Sequence, residues 1–301
     1  MGNNPPPQFP SPDTSRWAVT PEPVPEILPP DGYAPATQQP DYAPQRVQMA
    51  PRRSRWAVAP ATHALLLINC AVYLLMVLRG VGPFSPTSES LFRWGADNAG
   101  AVLYYDQWWR IVTAMFLHGG ILHLALNMWC LWNLGMLAEP LMGWFGVAAV
   151  YLLTGAAGNM LSTFVNWYKY SPGYPTLFGP MGVGASGAVF GIAGALIVLL
   201  KSQRLPVPLE ELKKLRRSVI YFAAINLFIG FSINFGASRT GVGIDNSAHV
   251  GGCLSGLLFA APMVPRLGWP RRTFDTRLRL AVALLSGVLV LFGFFLAQLG
   301  R

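Results

Sequence analysis

Residues 184–200 read Gly-Ala-Ser-Gly-Ala-Val-Phe-Gly-Ile-Ala-Gly-Ala-Leu-Ile-Val-Leu-Leu. The run carries no charged side chain, which places it in hydrocarbon, yet it is short for a spanning helix, which needs about 20 mainly apolar residues. Segments of similar character lie at roughly 61 to 79, 115 to 137, 144 to 164, 218 to 235, 247 to 264 and 278 to 299. Together with 185 to 200 they make seven spans, and the expected fold class is an all-α polytopic membrane protein.

Composition agrees. With 52% hydrophobic and 12% charged residues and a positive mean hydropathy of +0.39, the chain has too little polar side chain to clothe a soluble globule. Residues 1–58 break the pattern. The first sixty residues hold 15 of the 26 prolines and no long apolar stretch, so 1–58 is expected to be a disordered, proline-rich tail. It has no secretory h-region, so the first hydrophobic segment is expected to stay as a signal anchor. Pentapeptide Ser-Arg-Trp-Ala-Val occurs at 15 to 19 and again at 54 to 58, where Arg55 and Trp56 would anchor at the interface; the first copy has no assigned mechanism, and the PxxP at Pro7 to Pro10 is a weak motif. Cys70, Cys130 and Cys253 each fall in an apolar run without CxxC spacing, which supports neither a disulfide framework nor a zinc site.

The net charge of +9 is spread beside the apolar segments rather than in one basic domain, which argues for membrane orientation and against nucleic acid. Arg46, Arg52, Arg53 and Arg55 precede span one; Lys201, Arg204, Lys213, Lys214, Arg216 and Arg217 separate spans four and five; Arg266, Arg271, Arg272, Arg277 and Arg279 separate six and seven. The opposite side has only Arg79, Arg93, Arg110, Lys169, Arg239 and Arg301. The expected topology is therefore a cytoplasmic N-terminus and an outside C-terminus in a plasma membrane, of bacterial type. The loop from about 80 to 110 is aromatic, with Phe84, Phe92, Trp94, Tyr104, Tyr105, Trp108 and Trp109, and is expected to lie partly in the outer interface.

Ionisable or strongly polar residues inside a span are expensive and therefore functional candidates. His123 and Asn127 stand at i, i+4 on one face of span two. Ser186 opens span four, and His249 opens span six in Ala-His-Val-Gly-Gly. Counted along their helices at about 1.5 Å per residue, all four lie roughly 18 to 24 Å above the cytoplasmic ends. Four polar groups from three helices thus share a plane below the outer surface. Peptide hydrolysis there needs a water-filled cavity, and such a cavity also lets span four be short.

Each residue also has a structural reading. A serine at a helix start is commonly a cap, and His249, His123 and Asn127 could be interhelical hydrogen-bond partners. The functional reading makes Ser186 a nucleophile, His249 the base that such a weak nucleophile requires, and His123 and Asn127 oxyanion donors beside the helix N-terminus. Gly184 and Gly187 leave the serine hydroxyl uncrowded. Phe190, one turn on, either packs against the His249 ring or is an ordinary core or lipid-facing aromatic. Gly187 and Gly191, with Gly252 and Gly256, form GxxxG patterns that allow close helix approach. Asp245 is in a loop and Glu139 near the other end, so a Ser-His dyad without a carboxylate is expected.

From about 61 to 264 the chain resembles the rhomboid proteases, on Trp109-Arg110, His118, His123-x-x-x-Asn127, Gly184-x-Ser186-Gly187 and Ala248-His249-x-x-Gly252-x-x-x-Gly256. The resemblance implies a rhomboid-like six-helix core, taken as 59–266, followed by a linker and a seventh transmembrane helix in 267–301. It implies that the nucleophile falls on Ser186, the base on His249, and the oxyanion contacts on His123, Asn127 and the Ser186 backbone. Trp109-Arg110 and His118 would order the first loop, and the fifth helix with the loop before span six would gate substrate. Many relatives carry Tyr where this chain has Phe190, so a hydroxyl contribution is absent. The activity implied is cleavage of single-pass transmembrane proteins near the outer face, with no metal or cofactor. The alternative class is a non-proteolytic protein that binds membrane clients; inactive relatives of that kind usually lack the serine or the histidine, and both are present here. A transporter would show repeated halves and midplane charge pairs, and neither is seen.

Overall fold

A computed structural model describes residues 59–170, 179–201, 208–236, 245–266 and 270–300. The tail 1–58 with both Ser-Arg-Trp-Ala-Val copies and its arginines, most of the loop before span six, and part of the linker before span seven lie outside the described residues.

The described residues are helical throughout, apart from short connections and a single two-residue bridge between Asp97 and Gly182. In chain order the helices are α1 Pro60–Leu78, α2 Ser88–Trp94, α3 Ala99–Leu103, α4 Arg110–Thr113, α5 Ile121–Tyr170, α6 Ser186–Leu199, α7 Leu209–Gly236, α8 Asn246–Ala260 and α9 Arg271–Leu299. Short 3₁₀ turns follow α4 and α8. Of these, α1, α5, α8 with its 3₁₀ extension, and α9 are long and apolar enough to cross a membrane, and α6 is a shorter apolar helix. The molecule is a multi-pass membrane protein. Large apolar side chains such as Leu67, Leu122, Trp129, Leu258, Leu291 and Phe294 face outward because lipid, not water, surrounds them.

Helix boundaries differ from the hydropathy reading in instructive ways. Straight, the 50 residues of α5 would run about 75 Å, far beyond a hydrocarbon core of about 30 Å; the chain breaks instead at Gly143, whose φ of 74° and ψ of 171° are non-helical, three residues after Pro140. The expected spans two and three are the two arms of α5. The first arm begins at Ile121, not 115, because Gly119-Gly120 interrupts it, Gly120 at φ 130°; His118 therefore sits in the connection before the helix. Helix α7 begins at Leu209 rather than 218. Its charged first turns are held by Lys213–Glu210 and Lys214–Glu211 pairs at 2.8 Å, by Arg216 Nε donating to Ile197 O at 2.9 Å, and by burial of Leu212 and Val219. Likewise α9 starts at Arg271 rather than 278, so its arginines extend the helix beyond its apolar part. The 80–110 loop folds into α2 and α3, with α4 directly after it; α2 is capped by Thr87 and ended by Gly95 at φ 103°.

Two contacts organise the bundle. Facing glycines bring α6 and α8 together: a Cβ on Gly252 would strike the Gly187 carbonyl, and one on Gly256 the Gly191 carbonyl. The second contact joins α1 to α5. Pro60 occupies the first turn of α1, and the buried Glu139 carboxylate accepts from Ala61 N and Thr62 N, both at 2.8 Å, and from Thr62 Oγ1 at 2.7 Å. A negative group thus satisfies two of the orphan amides at the positive end of a helix. Further along, Asn69 Nδ2 donates to Leu65 O at 2.8 Å and to the Tyr151 hydroxyl at 3.0 Å, so polar groups between spans find partners.

Glu139→Ala removes three charge-assisted hydrogen bonds and is expected to destabilise the bundle by about 2 to 3 kcal/mol. Thermal unfolding in detergent should show a clearly lowered midpoint, with Glu139→Gln in between.

Candidate active site between α6 and α8

Ser186 is the first residue of α6. Ala185 occupies the cap position, and no side chain caps the helix, so the serine hydroxyl is not engaged by the helix end. Its Oγ lies 2.8 Å from His249 Nε2. That imidazole stands in the first turn of α8 and is 7% exposed. Phe190, one turn along α6, stacks on it with ring centroids 4.4 Å apart and planes 14° apart; Phe222 of α7 follows at 6.0 Å from Phe190. His249 Nδ1 is buried and has no hydrogen-bond partner among the described residues, so the ring is held by packing rather than by a carboxylate.

The glycine faces explain why this contact can form. Ala248 O packs against Gly158 of α5, Gly187 O against Gly252, and no side chain stands between the backbones. Gly252 and Gly256 of α8 thus face the carbonyls of Gly187 and Gly191 of α6, and Gly194 of α6 faces that of Cys253.

His123 and Asn127 lie on one face of the first arm of α5 and look onto Gly184. A Cβ built there would be 2.9 Å from His123 Cε1 and Nε2 and 3.6 Å from Asn127 Nδ2. Gly184 also has φ 123°, so both its backbone and its neighbours require glycine. Gly119 N–H donates to His123 Nδ1 at 3.3 Å. Because an amide can only donate, Nδ1 is the acceptor and the proton of the neutral ring sits on Nε2, the edge turned to Gly184. Asn127 Nδ2 donates to His123 O at 3.1 Å and keeps a second N–H.

Other residues singled out in the sequence stand further off. His118 is fully buried, edge-on to His123 with centroids 5.3 Å apart. The Arg110 guanidinium is buried, donates to Phe92 O at 2.7 Å, Ala96 O at 3.0 Å and Gln107 Oε1 at 2.6 Å, and lies over the Phe92 and Trp109 rings. Trp109 is half exposed and packs by Gly95. These contacts knit residues 92–113 to one another, not to Ser186. No group of three His, Cys, Asp or Glu that could hold a metal ion occurs among the described residues.

The Rhomboid domain family model matches residues 105–266, more than half of the chain, a stretch that includes Trp109, Arg110, His118, His123, Asn127, Ser186 and His249. The chain belongs to the rhomboid family. It is 31% identical over 226 residues to Rhomboid protease GluP of Bacillus subtilis, which covers 75% of this chain and 38% of that protein. It is 30% identical over 227 residues to Rhomboid protease AarA of Providencia stuartii, with 72% and 76% covered. To RHOMBOID-like protein 6, mitochondrial, of Arabidopsis thaliana it is 34% identical over 190 residues, with 62% and 55% covered. The chain thus spans well under two thirds of GluP and of the Arabidopsis protein.

Sequence reading missed one polar cluster of this rhomboid. Asp97 exchanges backbone hydrogen bonds with Gly182 at 2.9 and 2.8 Å, and both its carboxylate oxygens accept from Thr163 Oγ1 at 3.1 Å. Its carboxyl is pushed up to about 7, by burial first and then by the facing Asp245, against the Thr163 hydrogen bond and the Arg110 charge. By sequence Asp245 reads only as a loop residue; Asp245-Asn246-Ser247 before the His249 run has the composition of a helix start, whereas nothing local in the sequence pairs Asp245 with Asp97. An unfolded Asp releases its proton near pH 3.9, whereas folded Asp97 keeps it to about 7. The folded state therefore binds more protons in between, and this group's contribution to stability falls as pH rises through that window. The thermal midpoint of the parent should drop relative to that of Asp97→Asn between pH 4 and pH 8; parallel curves would contradict the assignment.

Proposed function

We propose that this rhomboid is an intramembrane serine endopeptidase that cuts transmembrane helices of membrane proteins near the outer face with a Ser186-His249 dyad. The observation that carries the reading is the 2.8 Å contact between Ser186 Oγ and His249 Nε2, made by two apolar helices at the level of His123 and Asn127. A nucleophile and base within hydrogen-bond reach, with donors beside them, is the arrangement acyl transfer needs.

In the proposed sequence Ser186 Oγ attacks a peptide carbonyl while His249 Nε2 takes its proton. The oxyanion receives hydrogen bonds from His123 Nε2–H, the free Asn127 N–H and the Ser186 amide at the positive end of α6. Collapse breaks the C–N bond, and His249 returns the proton to the leaving amine. Water, activated by the same imidazole, then hydrolyses the acyl-enzyme and restores Ser186. The third role of a triad passes to stacking by Phe190. Water reaches the site through a cavity open to the outer side, which the short α6, about 21 Å long, permits.

The reading includes a six-helix core over 59–266, a seventh helix in 267–301, a proline-rich tail in 1–58, a cytoplasmic N-terminus and a bacterial plasma membrane. Substrates are single-pass proteins whose helix unwinds at the site, because a helix hides its carbonyls in hydrogen bonds. They carry helix-weakening residues near the outer boundary and small residues at the cut. Helix α7 and the loop before α8 form the lateral gate.

Purified protein in liposomes with a reporter transmembrane substrate tests this. Ser186→Ala and His249→Ala should each lower cleavage at least about a thousandfold, and Asn127→Ala roughly ten- to a hundredfold because its role is shared. Undiminished cleavage by Ser186→Ala would overturn the proposal.

A further inference from the structure

Asp245 stands four residues before His249, as Gly182 stands four residues before Ser186, and one buried cluster holds both points. The Asp245 carboxylate caps α8: Oδ1 accepts from Ala248 N at 3.1 Å, while the backbone carbonyl accepts from the His249 amide at 3.3 Å. Its other oxygen accepts from Ser162 Oγ of the second arm of α5, and Asn166 Nδ2 donates to that same hydroxyl at 3.1 Å. Next to Ser162, Thr163 bonds Asp97, whose backbone clasps Gly182. The two carboxylates converge on Gly182: a Cβ there would lie 3.5 Å from Asp97 Oδ2 and 3.7 Å from Asp245 Oδ2. Ser162, Thr163 and Asp97 are all nearly inaccessible. The charged groups facing the cluster are Asp97, Asp245 and, from α4, Arg110.

We propose that Asp245 is the positioning residue of the base, acting through its cap on α8 and its tie to Ser162. The inference rests on the dyad reading above. With Nδ1 of His249 lacking a hydrogen-bonding partner among the described residues, the ring has Phe190 stacking to fix its plane but no polar contact besides the Ser186 hydroxyl itself to fix its height. Height along α8 is set by the first turn, and the first turn is set by Asp245. A helix end that frays lets the imidazole drift from Ser186, and a displacement of about 1 Å can cost on the order of a hundredfold in rate. Both oxygens of the Asp245 carboxylate are taken by Ala248 N and Ser162 Oγ rather than turned to Ser186, so its loss is expected to act on turnover more than on substrate affinity.

The test uses the protein in liposomes, measuring kcat and KM separately on the reporter substrate, together with the rate at which a fluorophosphonate phosphonylates Ser186, the serine oxygen bonding to phosphorus as fluoride leaves. Asp245→Ala should lower kcat and the phosphonylation rate together, roughly ten- to a hundredfold, with KM unchanged. Asp245→Asn should recover to within a few fold, because Asn caps a helix as well as Asp and its amide can donate to the Ser162 hydroxyl. Ser162→Ala keeps the cap and loses the tie, and should fall in between; it decides the matter should Asp245→Ala fail to fold. Full kcat in Asp245→Ala, or in Ser162→Ala where Asp245→Ala does not fold, would overturn the inference, as would a loss carried by KM alone or a loss in Asp245→Asn equal to that in Asp245→Ala. Ser186→Ala run alongside separates the two levels: activity there sinks the dyad, whereas an inactive Ser186→Ala beside a fully active Asp245→Ala sinks the positioning role only.

Discussion

The structure depends on how closely two helix backbones can approach. Between α6 and α8, Gly187 lies against Gly252 and Gly191 against Gly256, with carbonyl oxygens where side chains would otherwise stand. In a bilayer, lipid is as apolar as leucine, so association must come from packing and hydrogen bonds; small residues supply the first by removing bulk from the interface. The 2.8 Å reach from Ser186 to His249 follows from that approach. A Cβ on Gly252 or Gly256 would overlap a facing α6 carbonyl oxygen, so a larger residue at either position would force the two helices apart.

Around that contact, polar groups within the bundle are paired at short range. Glu139 closes the start of α1, Asn69 meets Tyr151, Asn159 Nδ2 donates to Ile111 O at 2.8 Å, and Ser255 returns its hydroxyl proton to its own helix. The exceptions among the described residues are few and lie close to Ser186 or in the shell around it: Nδ1 of His249, both ring nitrogens of His118, and the side-chain oxygen of Asn246. Buried polar groups are normally satisfied, so such a concentration marks the region where the fold gives up stability. An imidazole held by a stacked ring and a capped helix turn keeps its Nε2 available to the serine.

Much of this was legible in the sequence, for physical reasons. Apolar runs locate helices in a membrane because the backbone has no other way to satisfy itself there, and the GxxxG spacing and the i, i+4 pair His123-Asn127 fix which faces meet. Helix ends were less legible. The charged start of α7 reads as a loop by hydropathy, yet i, i+3 ion pairs and the buried Leu212 keep it helical. His118 reads as part of a span, yet Gly119-Gly120 stops the helix short of it. Least legible was the Asp97, Ser162, Thr163 and Asp245 cluster, since its members come from three separate stretches and only the folded chain shows that two carboxylates face one glycine.

The central claim is that Ser186 is a nucleophile made reactive by His249 in water reached from one side of the membrane. The most direct measurement is labelling of the protein in oriented vesicles with a membrane-impermeant fluorophosphonate, followed by mass spectrometric mapping of the modified residue. The account predicts a single adduct on Ser186, formed only from the face that the arginine and lysine distribution assigns to the outside, and lost in His249→Ala. Equal labelling of Ser186 in His249→Ala, or an adduct on another residue while Ser186 stays free, would contradict it.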